Sequence, residues 1–284
     1  MKKYIDISAH QGVVDFEKVK GHVDGIMLRA GYGKNNIDKQ FVRNVQECNR
    51  LGIPCGAYWF SYAYTVEMAT KEAKYFLAAV EPYVMELPLA FDYEYDSVKY
   101  SEKQGVTPSV SLVKNMTTVF CNTIEDAGYW CMLYSNGEYI NKYFGDLAGG
   151  RYDLWYAAWP KNVDINNPPR SCGIWQWGSS RIPGISGDID TDEAYKDYAT
   201  YLRNMGFNHL TKAAVVDETL VEDLCPQGEN TMNEQHSTAP EPWYTNTMNW
   251  AKENGICDGT RPTEPATRAE VAQMLLNFKN KFMK

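Results

Sequence analysis

Eight short apolar or aromatic segments recur along the first two hundred residues. They are KYIDIS (3–8), GIMLRAGY (25–32), PCGAYWFSYA (54–63), LPLAFDYEY (87–95), WCMLYSN (130–136), DLWYAAW (153–159), GIWQWGS (173–179) and GDIDTDEA (187–194). Several are near-continuous hydrophobic runs, as expected of strands buried on both faces of a parallel sheet. Between some of them the period lengthens to that of a helix. Phe41, Val45 and Cys48 mark a helix over 38–51. Ala69, Ala73, Phe76 and Leu77 mark one over 66–80, and Val113, Met116, Phe120 and Ile124 one over 110–127. Glycines such as Gly52 and Gly128 follow as terminators. The later crossovers are too short or irregular for full helices. The pattern predicts an α/β fold: an irregular (β/α) barrel of about eight strands with fewer helices than a complete one.

After Leu210 the pattern breaks. Residues 211–240 carry one lysine against six acids and end in CPQGENTMNEQHSTAP, which reads as an acidic linker. Residues 241–284 regain periodicity as a small helical module. Trp243, Thr247, Trp250 and Ala251 share one face of a first helix, ended by Gly255. Thr267 and Glu270 form a capping box for a second helix, whose stripe is Val271, Leu275, Phe278 and Phe282. The expected organisation is a barrel over 1–209, a linker over 210–240 and the module over 241–284.

Composition narrows the function. The chain has 284 residues, 44% hydrophobic, with 20 Tyr, 8 Trp and 10 Phe, enough for a large core and for aromatic platforms. A formal net charge of −8 argues against a nucleic-acid partner, which calls for a basic face. MKKYIDISAHQG opens the chain without an apolar signal region, and no run of 18 or more apolar residues follows. The expectation is no membrane insertion and no encoded secretory signal: the protein either stays where it is made or leaves by a route it does not encode. The seven cysteines show no C-x-x-C spacing, so they read as reduced, mostly buried thiols. Neither a metal site nor a cofactor is expected. His10 and His22 lack suitable companions and read as polar structural residues, and AGYG (30–33) reads as a turn after a strand.

The chemistry concentrates in LPLAFDYEYDS, 87–97, where an apolar run climbs to Asp92 and Glu94. In a strand, residues i and i+2 share a face, so the two acids project together from the C-terminal end, where barrel enzymes keep catalytic groups. Asp6 and Ser8 close the first strand, and Asp188 and Asp190 sit on the last. Acids at three strand ends, ringed by aromatics, suit glycosidic bond cleavage, which needs a protonated carboxyl for the leaving oxygen and a negative partner for the oxocarbenium-like centre. Crowding and aromatic walls hold a proton on such a carboxyl to higher pH. A single D-x-E at a strand end is also a common structural feature.

Taken in order, YIDISAHQG, GIMLRAGYG, GIPCGAYWFSYA, AFDYEYD, LYSN, LWYAAW, IWQWGS and GISGDID resemble the glycoside hydrolase family 25 lysozymes over nearly all of residues 3–200. The resemblance implies an irregular β/α barrel that hydrolyses the β-1,4 bond between N-acetylmuramic acid and N-acetylglucosamine in peptidoglycan. It implies Glu94 as general acid/base, Asp92 as the group that orients the substrate acetamido or stabilises its charge, and Asp6 and Asp190 as supporting acids. Tyr58, Phe60, Tyr62, Tyr134, Trp159 and Gln176 are the candidate substrate-binding residues. Separately, WYTNTMNWAKENGICDGT and PATRAEVAQML resemble one surface-layer homology repeat. This implies secondary cell-wall polysaccharide as a second ligand, with Trp250 and Arg268 as candidate contacts; Arg268 equally reads as a solvated charge at a helix start. The few large apolar residues of one repeat leave its core unfinished, so a homo-oligomer through this module is expected, a trimer ahead of a dimer. The combined expectation is a phage or prophage endolysin released through a holin. A bacterial autolysin, a non-catalytic wall-binding protein and another glycosidase such as a chitinase are the alternatives. Inverting and acetamido-assisted retaining chemistry both remain open.

Overall fold

The protein is described here by a computed structural model covering residues 1–211. Nearly all of the expected linker and the whole 241–284 module, with Trp250 and Arg268, lie outside the described residues.

In chain order the elements are β1 (Lys2–Ile7), α1 (Phe16–Val19), β2 (Gly25–Tyr32), β3 (Asn36–Ile37), α2 (Phe41–Leu51), β4 (Cys55–Phe60), α3 (Val66–Val80), β5 (Leu89–Asp92) and α4 (Tyr95–Lys103). They continue with α5 (Val110–Asp126), β6 (Cys131–Asn136), α6 (Gly137–Tyr139), β7 (Asp153–Ala157), β8 (Ile174–Ser180), β9 (Ile189–Ala194) and α7 (Tyr198–Met205). Eight strands close a barrel in the order β1–β9–β8–β7–β6–β5–β4–β2, and β2 pairs back onto β1. The two-residue β3 is an antiparallel flange on β2. No described helix is long and apolar enough to cross a membrane.

All eight expected strands exist, and the three expected helices lie within a few residues of their predicted bounds. α2 buries Phe41, Val45 and Cys48 and stops at Gly52, whose φ of 65° lies in the left-handed region that a Cβ disfavours. The Thr65 hydroxyl accepts the Met68 amide (3.2 Å) to start α3, and Ser109 accepts that of Leu112 (3.1 Å) to start α5. Phe120 of α5 packs on Phe76 of α3 and on Phe91 of β5, with centroids 6.1 and 4.6 Å apart. Through Phe120 the helix layer therefore grips the strand that carries the acids. Truncating such a residue to alanine costs about 3–5 kcal/mol. The β6–β7 crossover has no full helix: α6 runs into a π turn over Ile140–Phe144 and a 3-10 turn over Gly145–Leu147.

The sequence expectation needs correction at three places. β9 runs antiparallel to both β8 and β1, so the sheet is mixed rather than parallel. AGYG is not a turn in full: Ala30, Gly31 and Tyr32 belong to β2, and only Gly33 starts the turn. The strand over 87–95 is really the four residues of β5. It hands over at Glu94 to α4, a helix without the apolar stripe that would announce it; its buried residues are Ser97, Val98 and Ser101.

Two apolar layers result. Outside the sheet, Ile5, Leu28, Ala57, Trp59, Phe91 and Leu133 pack beneath the helices. Inside the barrel, Tyr4, Met27, Ala90, Met132, Trp155 and Ile174 fill the lower lumen. The inward positions above them on β1 and β5 are Asp6 and Asp92, so the lumen is apolar below and acidic at its mouth. The register of β2 on β4 slips between Arg29 and Gly31, a bulge of the kind that re-aims a side chain. A Cβ on Gly31 would lie 2.5 Å from the Trp59 ring and from the Asn36 carbonyl oxygen, so this close approach requires glycine.

Candidate active site

A cavity of about 220 Å³ opens at the C-terminal ends of the parallel strands. Asp6, Asp92, Glu94 and Asp190 all line it, each delivered by a different local device. Asp6 follows Tyr4 on the inward face of β1. Asp92 ends β5 on the face of Ala90. Glu94 lies two residues past the strand in extended conformation (φ −141°, ψ −161°), and its amide donates to the Ser97 hydroxyl at 3.1 Å as α4 begins. Asp190 opens β9 rather than closing it. It reaches the mouth because β9 is reversed, beside Ser179 of β8. Asp188 is exposed instead and pairs with Arg181 at 3.2 Å, so of the two aspartates only Asp190 lines the cavity.

Burial raises all four carboxyls, and repulsion among them adds to the shift at Asp6, Asp92 and Glu94. Burial, then the charge of Asp190, push Asp6 up to about 7, although a hydrogen bond from Gln176 pulls the other way. Asp92 is held well above the usual carboxylate range by burial, then by Glu94 and Asp6, with Arg29 opposing. Glu94 is raised by burial, then by Asp96 and Asp190. The expected like-charge effect between Asp92 and Glu94 is thus present, and Asp96 and Asp190 add to it at Glu94. Asp92 is only 3% exposed, and its Oδ1 has no hydrogen-bond partner among the described residues. An acceptor stranded in this way costs about 1–3 kcal/mol.

Polar and aromatic walls complete the cavity. Gln176 donates from Nε2 to Asp6 Oδ2 (2.9 Å), while its Oε1 accepts from the Tyr134 hydroxyl (3.0 Å) and Trp159 Nε1 (3.2 Å). Tyr58, Phe60, Tyr134 and Gln176 line the acid cavity as expected. Trp159 is 55% exposed and touches the site through Gln176. Tyr62 departs from the expectation. It lines a neighbouring cavity, though its ring lies 5.0 Å from that of Phe60.

Sequence reasoning missed several wall residues. Arg29 lines the cavity, with Nε and Nη2 each 2.8 Å from Asp38 Oδ2. Asp38 is itself buried and accepts the amides of Ala9 and Gln40. The guanidinium is thereby fixed as a permanent cation beside the acids. His10, read as structural, is exposed and borders the same cavity with Ser8 and Gln11. Trp155 closes its floor, with its ring 4.7 Å from Tyr134 and 5.7 Å from Tyr58, and donates from Nε1 to Asp192 Oδ1 at 2.7 Å. Asp192 is wholly buried, and burial followed by the charge of Asp6 raise its carboxyl well above the ordinary range. The period-2 pattern of DIDTD was the one signal that could have found it, since Asp190 and Asp192 alternate in step.

Chemically, the site offers a carboxyl whose surroundings favour its protonated form beside a second buried carboxyl, in a cleft with flat aromatic walls. That combination suits assisted departure of a sugar oxygen. The model of the glycosyl hydrolases family 25 matches residues 5–185. Among solved structures, the CTP1L endolysin superposes with a TM-score of 0.59 at 23% identity, covering 72% of this chain and 70% of its own. The modular autolysin LytC of Streptococcus pneumoniae, solved with a synthetic peptidoglycan ligand, gives 0.55 at 30% identity over 67% of this chain and 46% of that one. The catalytic domain of endolysin ply40, from bacteriophage P40 of Listeria monocytogenes, gives 0.59 at 22% identity over 71% and 97%. No curated protein matches the chain in sequence. With the family model spanning most of the barrel and the four acids gathered at its mouth, the chain belongs to glycosyl hydrolase family 25 and is a peptidoglycan hydrolase.

Proposed function

We propose that the protein cleaves the β-1,4 bond from N-acetylmuramic acid to N-acetylglucosamine. Glu94 is the proton donor. The observation that carries this reading is the placement of Glu94 beside Asp92 in one aromatic-walled cavity, with burial and the charges of Asp96 and Asp190 favouring its protonated form. A protonated Glu94 delivers its proton to the leaving glycosidic oxygen and, once ionised, recovers one from the attacking water. Asp92 faces the developing positive charge. Its unpartnered Oδ1 is suited to accept a hydrogen bond from the N–H of the substrate acetamido group. Asp6, held by Gln176, and Asp190 maintain the negative field around the two. Tyr58, Phe60 and Tyr134 present ring faces to the sugars.

The wider setting is proposed on the same footing. The protein acts as an endolysin, made in a bacterial host and reaching the wall through a holin-type lesion. Residues 241–284 attach it to secondary cell-wall polysaccharide and draw copies together as a homo-oligomer. Mass spectrometry of digested, borohydride-reduced peptidoglycan tests the bond assignment. Fragments should end in reduced N-acetylmuramic acid. Fragments ending in reduced glucosamine would assign the other glycosidic bond and sink the proposal.

A further inference from the structure

Beside the acid cavity lies a second one of about 510 Å³. Its walls are three tyrosines, Tyr32, Tyr62 and Tyr100, and three lysines, Lys34, Lys99 and Lys103. Lys34 comes from the turn between β2 and β3. Lys99 and Lys103 stand one helical turn apart on α4, a spacing at which like charges repel. None of the three forms an ion pair among the described residues, and all three are exposed. Lys99 rests with Nζ 4.5 Å from the centroid of Tyr95. One acid, Asp96, shares the cavity. A local excess of positive charge in a chain of net charge −8, built on a platform where Tyr62 lies 6.3 Å from Tyr32 and 5.0 Å from Tyr100, is a place for an anion carried on a partly apolar chain.

Its position identifies which anion. The two cavities have no lining residue in common but adjoin: Glu94 lines one and Asp96, two residues on, the other, while the Phe60 and Tyr62 rings lie side by side. A ligand in the second cavity is therefore an extension of whatever occupies the first. In peptidoglycan the muramic acid next to the scissile bond bears a peptide through its lactyl ether, and that peptide ends and branches in free carboxylates. A strand stripped of its peptides keeps only the lactyl carboxylate of each muramic acid, held close to the sugar ring, whereas the stem carries its carboxylates further out, toward the three lysines of the adjoining cavity. We propose that the Lys34–Lys99–Lys103 cavity is a subsite for the carboxylates of the peptide stem, so that the enzyme prefers peptide-bearing glycan to the naked strand. This rests on the bond assignment proposed above. Arg29 cannot take the role, because Asp38 already holds it.

The test compares two substrates made from one peptidoglycan preparation freed of other wall polymers: polymer with its stem peptides, and the same glycan stripped of them by an amidase. The full chain is assayed as wild type, as Lys34→Ala/Lys99→Ala/Lys103→Ala and as the single Lys103→Glu. On the peptide-bearing polymer the triple variant should raise KM about tenfold with kcat little changed, the scale of losing one or two charge-assisted contacts. On the stripped glycan it should match wild type, and added salt should erode the wild-type preference. Equal losses on both substrates, or no loss on either, would overturn the subsite. A loss confined to unextracted walls that still carry polyphosphate polymers would also overturn it, assigning the lysines to those polymers instead. If the wild type cut neither substrate, the bond assignment would fail rather than the subsite.

Discussion

Gln176 donates a 2.9 Å hydrogen bond to Asp6, a residue 170 positions earlier in the chain. The amide cannot turn around. Its oxygen already takes the Tyr134 hydroxyl and the Trp159 indole N–H, so its nitrogen must face the carboxyl. One side chain thereby ties β1, β6, β8 and the segment after β7 into the rim of the site.

Gln176→Leu should release that restraint. The hydrogen bond from Gln176 lowers the Asp6 pKa, which stands at about 7. Without it the Asp6 titration should move upward, as followed by carboxyl NMR. Stability should fall by about 1–3 kcal/mol, the cost of leaving buried polar partners unsatisfied. An unmoved Asp6 titration would show that the bond is not maintained in solution.

Glu94→Gln should keep the barrel and lose activity by a factor on the order of 10²–10⁴, because an amide has no acidic proton to give. Thermal unfolding should be unchanged or shifted upward, since one of several crowded carboxyls is gone. Turbidity clearing of susceptible walls at the wild-type rate would remove Glu94 from the mechanism.

The pH profile should carry the mark of Asp96. Burial, Asp96 and Asp190 favour protonated Glu94, and the donor is lost as pH rises through its raised pKa. Activity should therefore decline on the alkaline side. Asp96→Asn removes one repelling anion at an exposed position, so the alkaline limb of kcat/KM should move to lower pH. A limb that stayed in place would mean that burial and the acids inside the cavity set it.

Glu72 predicts a pH-dependent stability away from the catalytic acids. It is 2% exposed, accepts the Ser61 hydroxyl (2.6 Å) and the Tyr62 amide (3.1 Å), and burial pushes its carboxyl up to about 7. The folded state then holds a proton that the unfolded chain releases near its ordinary value of 4.5. The contribution is full below that value and is lost as pH rises to about 7, by at most about 3 kcal/mol. Urea midpoints should fall across this window, and Glu72→Gln, which keeps shape and neutrality, should flatten the fall. An equally steep fall in the variant would assign the effect to the acids of the active site.

Asp188 and Asp190 should separate cleanly. Asp188→Asn removes an exposed partner of Arg181 and should leave lysis nearly unaltered, as for most surface pairs. Asp190→Asn should slow lysis by about tenfold or more, since it removes an anion that lines the cavity and raises Glu94. Equal rates for the two variants would contradict the assignment.

The sequence by itself determined the strands, the main helices and the core of the site. Hydrophobic runs located all eight barrel strands, and helical periodicity located α2, α3 and α5, because both depend on which residues must leave water. The D-x-E of 92–94 was legible because two acids interrupt an apolar strand at its end. Tertiary structure alone decided the rest. An alternating pattern reads the same in both directions, so nothing local revealed that β9 is reversed, and only that reversal brings Asp190 to the mouth, while Asp188 stays in the loop before β9, paired with Arg181. α4 was hidden because its buried face is largely serine. The partners of Asp6, Arg29 and Trp155 are set by strand order and register, which place Gln176, Asp38 and Asp192 beside them. A side chain's neighbours across a closed sheet follow from where the chain returns, and hydrophobic periodicity carries no record of that.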